Sequence, residues 1–102
     1  MSLKITFTQP IAHIYLVLID NKITVAMIIV STNNMILDIE INNYYFHSLK
    51  NNLMTDFLKE IGSDIVYARV DNRYKEYFNE LGFESFSKHI DNSDYDVMKY
   101  EL

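Results

Sequence analysis

The sequence predicts an α+β fold with a mixed, mainly antiparallel sheet, and three observations carry this prediction. The first third alternates as β-strands do, a later stretch repeats apolar residues at helical spacing, and glycines stand where two helices are expected to end. These signals follow one another in the order β-β-β-β-α-β-α-β-β, with a central βαβ unit. Residues 1–102 are therefore predicted to form a single domain.

The N-terminal third is predicted to begin with three strands. Residues 4–8 alternate between apolar and polar side chains, whereas residues 12–19 and 23–31 are rich in β-branched and aromatic side chains. Between the last two ranges, Asp20-Asn21-Lys22 has the composition of a tight turn. The second and third strands are therefore predicted to form a hairpin.

A fourth strand is predicted at residues 35–41, after a turn at residues 32–34. Its side chains alternate strictly, so that one face is expected to be apolar and the other acidic. The apolar face would carry Leu37, Ile39 and Ile41, and the acidic face Asp38 and Glu40.

The period then changes to that of an amphipathic helix. Apolar residues recur at three- and four-residue spacing from Phe46 to Ile61, and Gly62 stands where a left-handed C-terminal cap is expected. Residues 65–70 form the next strand-like run. A strand, a helix and a strand of these lengths predict a βαβ unit with parallel strands.

A second helix is predicted from Tyr74 to Leu81, and Gly82 would end it in the same way as Gly62. Asp71 or Asn72 is a suitable N-cap, since its side chain can accept a bond from an otherwise unpaired N–H. Two closing strands are predicted at residues 84–90 and 95–102, joined by a turn at residues 91–94.

Composition narrows the classes of function. The net charge is −5 and no basic patch is visible, so nucleic acid is not the expected partner; a basic protein or substrate fits this charge, although acidity often serves solubility alone. There is no Cys, and His13, His47 and His89 lack ligand spacing, so no metal site is expected. The longest apolar run, residues 14–19, is too short for a membrane span, and no signal-peptide pattern is present. These features predict a cytoplasmic protein.

Residues 72–83 read N-R-Y-K-E-Y-F-N-E-L-G-F, which resembles the segment N-x-x-A-x-x-x-Y-x-x-x-G-F of the GNAT N-acetyltransferase superfamily. The Asn, the aromatic pair and the Leu-Gly-Phe ending match, while Lys75 lies near the place of the missing small residue. The preceding βαβ unit and the two closing strands agree with the family in order. The resemblance covers about two thirds of the chain, residues 35–102, and there is no room for the two helices that open the family's fold.

The resemblance implies acetyl-CoA as cofactor, with its pyrophosphate held on a loop of the form Q/R-x-x-G-x-G/A. That loop would fall at residues 45–50, where Ser48 and Lys50 replace the two glycines and Tyr45 replaces the opening Gln or Arg. Without glycine, side chains crowd the backbone that must approach the phosphates. The cofactor-binding candidates implied by the resemblance are Ile41, Ser48, Lys50 and Asn72.

The same loop has a second and simpler interpretation. Tyr45, Phe46 and Leu49 would pack into the core, while His47 and Lys50 would face solvent. The missing glycines favour this interpretation over a phosphate site.

The resemblance also implies a general base and a general acid. Glu40, on the strand before the loop, is the candidate base, with Asp38 on the same face; both carboxylates also fit the solvent side of a strand. The family's acid, a Tyr, is replaced by Phe78, which has no proton to donate. Tyr77 is the remaining candidate acid, but it would project about 100° away around the helix and is expected to miss the site. Asn72 would lie near the pantetheine arm.

These replacements favour a weakly active or non-catalytic protein that acts as a small acidic binding or regulatory protein, of the kind expected from a phage or mobile element. The alternative is an acetyl-CoA-dependent N-acetyltransferase that acts on an amine through an atypical phosphate loop. A third hypothesis concerns partners: the aromatic cluster at residues 44–46 would be explained if it lay in a homodimer or in an interface with another protein.

Overall fold

The computed structural model describes residues 4–87 and 94–102. The strands are β1 (Ile5–Phe7), β2 (Ile14–Ile19), β3 (Ile23–Val30), β4 (Ile36–Ile41), β5 (Ile65–Asp71), β6 (Glu84–Ser87) and β7 (Tyr95–Glu101). The helices are α1 (Phe46–Leu49), α2 (Leu53–Ile61) and α3 (Lys75–Glu80), with 3-10 turns at Asn43–Tyr45 and Asn72–Tyr74 before α1 and α3.

The strands form one seven-stranded sheet in the order β1-β2-β3-β4-β5-β7-β6. Neighbouring strands are antiparallel except β4 and β5, which are parallel and are connected through α1 and α2. The predicted α+β class, with a mainly antiparallel sheet and a central βαβ unit, is therefore confirmed.

The helices pack on one face of this sheet. Phe57 of α2 contacts the rings of Phe7 on β1 and Tyr15 on β2, with centroids 5.7 and 5.1 Å apart. Toward the opposite edge of the sheet, the hydroxyl of Thr55 on α2 lies 2.8 Å from the hydroxyl of Tyr100 on β7. One core cluster joins these helices to alternate residues of the strands, and its members include Val17, Ile28, Ile36, Ile39, Leu49, Leu53, Leu58, Val66, Ala68, Phe78 and Met98.

The turn and cap predictions are confirmed where the structure describes them. Asp20 and Asn21 adopt left-handed φ angles of 56° and 57° in the β2–β3 hairpin, which suits the twist of the flanking strands. Gly62 has φ 68° and ends α2, while Gly82 has φ 102° after α3. The cap before α3 is Asp71, whose carboxylate accepts the backbone N–H two residues later.

Two predicted boundaries need correction, and a third lies outside the described residues. The second strand begins at Ile14, not at residue 12, because Ala12 and His13 have left-handed φ angles of 51° and 66° and form a turn. The helix predicted from Phe46 to Ile61 is interrupted at residues 50–52, which separate α1 from α2. The end of the strand predicted at residues 84–90, and the turn at residues 91–94 as far as residue 93, lie outside the described residues.

The predicted facing of β4 is wrong for one residue. Leu37 is 44% exposed, whereas Ile36 and Ile39 are 0% and 2% exposed. The cause is a β-bulge: along β3 consecutive residues Ile29 and Val30 pair with Asp38 and Ile36, so that Leu37 is the extra residue. A bulge inserts one residue without a partner and resets the alternation.

Candidate functional site

Strands β4 and β5 separate along their length. Their pairing consists of a single bridge between Ile36, at the start of β4, and Ala68, in the middle of β5. Beyond this bridge, β4 continues to Ile41 with no further residue paired to β5. A gap therefore opens toward the carboxyl ends of two parallel strands, where ligands bind in many α/β proteins.

A cleft of about 420 Å³ lies at this gap. Its lining comes from the second half of β4 and from the start of α3 with the turn before it: Asp38, Ile39, Glu40, Ile41, Tyr74 and Tyr77. The structure thus brings together the predicted base Glu40, the predicted acid Tyr77 and one predicted cofactor contact, Ile41. A small number of polar groups that converge on one cleft is a common feature of binding sites.

Tyr77 is half-buried against the core beside β4 and lines this cleft. Its hydroxyl donates to the backbone carbonyl of Ile39, 3.1 Å away, and its ring stacks on Phe46 of α1 with centroids 5.6 Å apart. The sheet-facing side of α3 is instead taken by Phe78, which is 3% exposed and packs against Phe83. Tyr77 precedes Phe78 and lies about 100° away around the helix. Its side chain therefore points sideways, toward β4.

The surroundings of Tyr77 keep its phenol protonated. Burial and the neighbouring carboxylates of Asp38 and Glu40 raise the pKa of Tyr77 to about 12, although a backbone hydrogen bond from Ile41 opposes the increase. Burial is the largest of these causes. Only the neutral phenol can donate a hydrogen bond to the Ile39 carbonyl, so this hydrogen bond and the protonated state of Tyr77 stabilise each other.

Replacing Tyr77 with Phe is expected to remove a pH-dependent part of the stability. Because the folded protein holds this proton more tightly than the unfolded chain, the contribution is complete below the ordinary pKa of 10.0 and is lost as the pH rises toward about 12. The free energy of unfolding, measured at several pH values in this window, should fall more steeply for the unchanged protein than for Tyr77→Phe. Equal slopes would contradict the description of this hydroxyl.

The segment between β4 and α2 uses its backbone donors internally. The N–H groups of Tyr44 and Tyr45 donate to the side-chain and backbone oxygens of Asn42, each at 2.9 Å, and the N–H of Phe46 donates to the carbonyl of Asn43. A phosphate-binding loop would point such groups at its ligand. Here Asn42 supplies the acceptor that an anion would otherwise provide.

The side chains of this segment follow the second interpretation of the loop except at Lys50, which was expected to face solvent. Leu49 is fully buried, and Tyr45 and Phe46 pack partly buried against the core. His47 and Ser48 are exposed, while Lys50 is half-buried and its N–H donates to the carbonyl of Phe46.

The other predicted cofactor contacts lie apart from the cleft. Ser48 and Lys50 are on α1 and just after it, and Asn72 is exposed at the turn after β5, where its N–H donates to the carbonyl of Asp94 at 2.9 Å. None of the three lines the cleft. Two contributors were missed, Tyr74 and the Ile39 carbonyl; the spacing of Tyr74, three residues before Tyr77, was a signal for the first.

Two further features concern the described residues as a whole. Within residues 4–87 and 94–102, no group of three or more His, Asp or Glu side chains is arranged to hold a metal ion. No helix in the described part of the chain is both long and apolar enough to cross a membrane. No protein-family model matches the sequence, and no curated protein is significantly similar to it.

Proposed function

We propose that this chain is a GNAT-like protein whose cofactor groove is filled by its own side chains, and that it acts as a small acidic binding or regulatory protein instead of an acetyltransferase. The observation that carries this proposal is the contact of the Tyr77 hydroxyl with the Ile39 carbonyl inside the gap between β4 and β5. In the family that the sequence resembles, the fourth and fifth strands part to admit the pantetheine arm. In this chain a phenol ring lies in that opening.

Displacing Tyr77 has a definite energetic cost. A ligand in the gap would break the hydrogen bond to Ile39, a loss of about 1 kcal/mol if it is not replaced. It would also separate Tyr77 from Phe46, whose stacked rings contribute about 0.5–1.5 kcal/mol beyond their buried area. The ligand must therefore offer more than these contacts before any net affinity appears.

The loop raises a second barrier. To turn their N–H groups toward a phosphate, Tyr44 and Tyr45 would have to leave Asn42, and the helical turn that follows would have to move. That turn carries Leu49, which is 0% exposed, and Phe46, which packs against the core. Reorganising the loop would thus expose apolar surface that is now buried, at roughly 25 cal/mol per Å².

Charge points in the same direction. Asp38 and Glu40 line the cleft, and the chain has a net charge of −5. The phosphates of a CoA molecule are anionic, so these carboxylates repel them instead of attracting them. A basic segment of a partner protein suits the same electrostatic field.

A second candidate function, acetyl transfer to an amine, is favoured by one specific observation. Glu40 and Tyr77, a carboxylate and a protonated phenol, line the same cleft. A carboxylate can take a proton from an amine, and a neutral phenol can give one to a departing thiolate. In this alternative Tyr77 would swing away from Ile39 when cofactor entered.

Calorimetric titration with acetyl-CoA separates the two functions. We expect no binding heat at millimolar cofactor for the unchanged protein, because both barriers are in place. The Tyr77→Ala variant removes one barrier, while Tyr77→Phe keeps the ring in the gap and serves as the matched control. Binding only to Tyr77→Ala would identify the ring as the block.

Two results would contradict the binding-protein proposal. The first is micromolar binding of acetyl-CoA to the unchanged protein. The second is acetyl transfer to any amine that is lost in Glu40→Gln while the fold is retained. Together they would establish the enzyme as the better description.

A further inference from the structure

Strands β2 and β3 are apolar on both faces. The six residues of β2 read I-Y-L-V-L-I, and the last six of β3 read V-A-M-I-I-V. A strand with one face in solvent normally alternates apolar and polar residues, whereas near-continuous apolar runs are typical of strands that are covered on both sides. The sequence of this hairpin therefore indicates that both faces of the sheet are covered at β2 and β3.

The helices cover only one of these two faces. Tyr15, Val17 and Ile19 of β2 belong to the core or pack against it. The alternate side chains point to the opposite face, where no helix of the described residues lies. We call five of them the apolar stripe, and they are Ile14, Leu16 and Leu18 of β2 with Met27 and Ile29 of β3.

The stripe is continuous across the two strands. Leu16 pairs with Met27 and Ile14 pairs with Ile29, so that these side chains stand directly opposite one another on the open face. None of the five is exposed as fully as a free surface side chain, yet none is buried. Their neighbours within the sheet shield them partly, and their outer surface remains open.

A cleft of about 330 Å³ lies at the β4 side of the stripe. Its lining includes Leu16, Thr24, Met27 and Glu40. A β-bulge helps to form it: Val17 pairs with Ala26 but Leu18 pairs with Thr24, so the strand pair is locally irregular beside the stripe. A large apolar side chain fits such a cavity, and a cation beside it would meet the Glu40 carboxylate.

The two rims of the stripe differ in charge. Along β4 stand Asp38 and Glu40, which pair with Ile29 and Met27 of the stripe. Along the opposite rim stands the uncharged Thr6 of β1, which pairs with Leu18 of the stripe. A partner that covers the stripe is therefore best matched when its basic side lies over β4.

We propose that the apolar stripe is the docking site for an amphipathic α-helix of a partner protein, with Lys or Arg residues along the flank that lies over β4. Two strands span about 10 Å and six residues about 20 Å, which matches the diameter of a helix and the length of about 13 helical residues. The helix places one large apolar residue in the cleft beside Met27. This proposal goes beyond the proposed function and does not depend on whether acetyl-CoA binds.

A second copy of the chain is a poorer occupant than a helix. A stable sheet-on-sheet dimer needs about 800 Å² from each partner, which requires several more strands than β2 and β3. Such a contact would extend over β4 and bury Asp38 and Glu40. Removing carboxylates from water without partners is costly, whereas a single helix leaves them at its rim, where they can meet its cations.

The test uses a synthetic 14-residue peptide with Leu along one helical face and Lys along one flank, titrated into the isotope-labelled full chain and followed by NMR. No CoA is present, so the result is separate from the acetyl-CoA titration. We expect saturable shifts centred on Leu16, Met27 and Glu40. A scrambled peptide of the same composition, and a peptide with Glu in place of Lys, should each bind about tenfold more weakly.

Substitutions on the stripe, off the stripe and at its acidic rim locate the contact. Met27→Lys should weaken binding by about tenfold, because the helix would desolvate the new charge, while Ile11→Lys, an exposed apolar residue off the stripe, should leave binding unchanged. Glu40→Gln should weaken binding at low salt but not at high salt. If circular dichroism shows Met27→Lys to be unfolded, Leu16→Ala takes its place.

Three outcomes would overturn the proposal. The scrambled peptide binds as well as the amphipathic one, or the substitution on the stripe has no more effect than Ile11→Lys. The third is a homodimer in light scattering that the stripe substitution dissociates, since the occupant would then be a second copy of the chain.

Discussion

Replacing Phe57 with Ala is expected to lower the free energy of unfolding by about 3–5 kcal/mol, the usual cost of truncating a buried aromatic residue. Phe57 is 1% exposed and holds α2 against both Phe7 and Tyr15. Removing the ring deletes these aromatic contacts and leaves a cavity between helix and sheet, which the close-packed core can fill only in part. For a domain of this size, the midpoint of thermal unfolding should fall by about 12–40 °C.

Phe86→Ala is the matched control for this prediction. The same atoms are removed, but Phe86 is 53% exposed on β6 and its ring contact is with Tyr67 on the open face of the sheet. Its loss should be no more than about 1 kcal/mol. Urea unfolding followed by circular dichroism measures both, and equal losses would show that α2 is not packed on β1 and β2 as described.

Gly82→Ala should lower the free energy of unfolding by about 2–4 kcal/mol through backbone strain and overpacking. Gly82 has φ +102°, a conformation that L side chains rarely adopt, and an added Cβ would lie 2.6 Å from Cε2 of Tyr100. The Tyr100 ring cannot move away freely, since its hydroxyl is 2.8 Å from that of Thr55 and its ring contacts Phe83.

Gly62→Ala separates the two causes. Gly62 also has a positive φ, +68°, but outside its own local backbone no atom lies within 4 Å of the position of its Cβ. Only the left-handed backbone conformation is then unfavourable, at about 1–2 kcal/mol. The midpoint and slope of urea unfolding for both variants test this difference, and a smaller loss at Gly82 than at Gly62 would contradict the close approach of Tyr100.

The element order was predictable because its signals are local. Gly62 and Gly82 mark helix ends through their own backbone freedom, and Asp20-Asn21 is a residue pair that favours a tight turn. The exposure of Leu37 was not predictable in this way. Alternation along β4 says nothing of a bulge, which arises from the register between that strand and β3. The break between α1 and α2 was not predictable either, because the helical spacing of apolar residues continues on both sides of it.

The candidate site was predictable in its residue types but not in its geometry. Glu40 and Tyr77 were recognisable as a carboxylate and a phenol near the predicted gap, and both line the cleft. Which of Tyr77 and Phe78 would face the sheet depends on how α3 is rotated about its axis. Tertiary packing decides that rotation, and here the core selects Phe78. The acceptor on Ile39 is a backbone group, which residue patterns cannot distinguish.

The single bridge between β4 and β5 also bears on how the domain holds together. Backbone hydrogen bonding divides the sheet into two antiparallel blocks, β1–β4 and β5–β7, with one pair of residues between them. Helix α2 spans both blocks, since Phe57 contacts the first and Thr55 the second. Cooperative unfolding of this domain therefore depends on side-chain packing under the helices, with the Tyr77 hydroxyl of α3 adding a hydrogen bond to β4, and the seam between the blocks is the place where the two halves can move relative to each other.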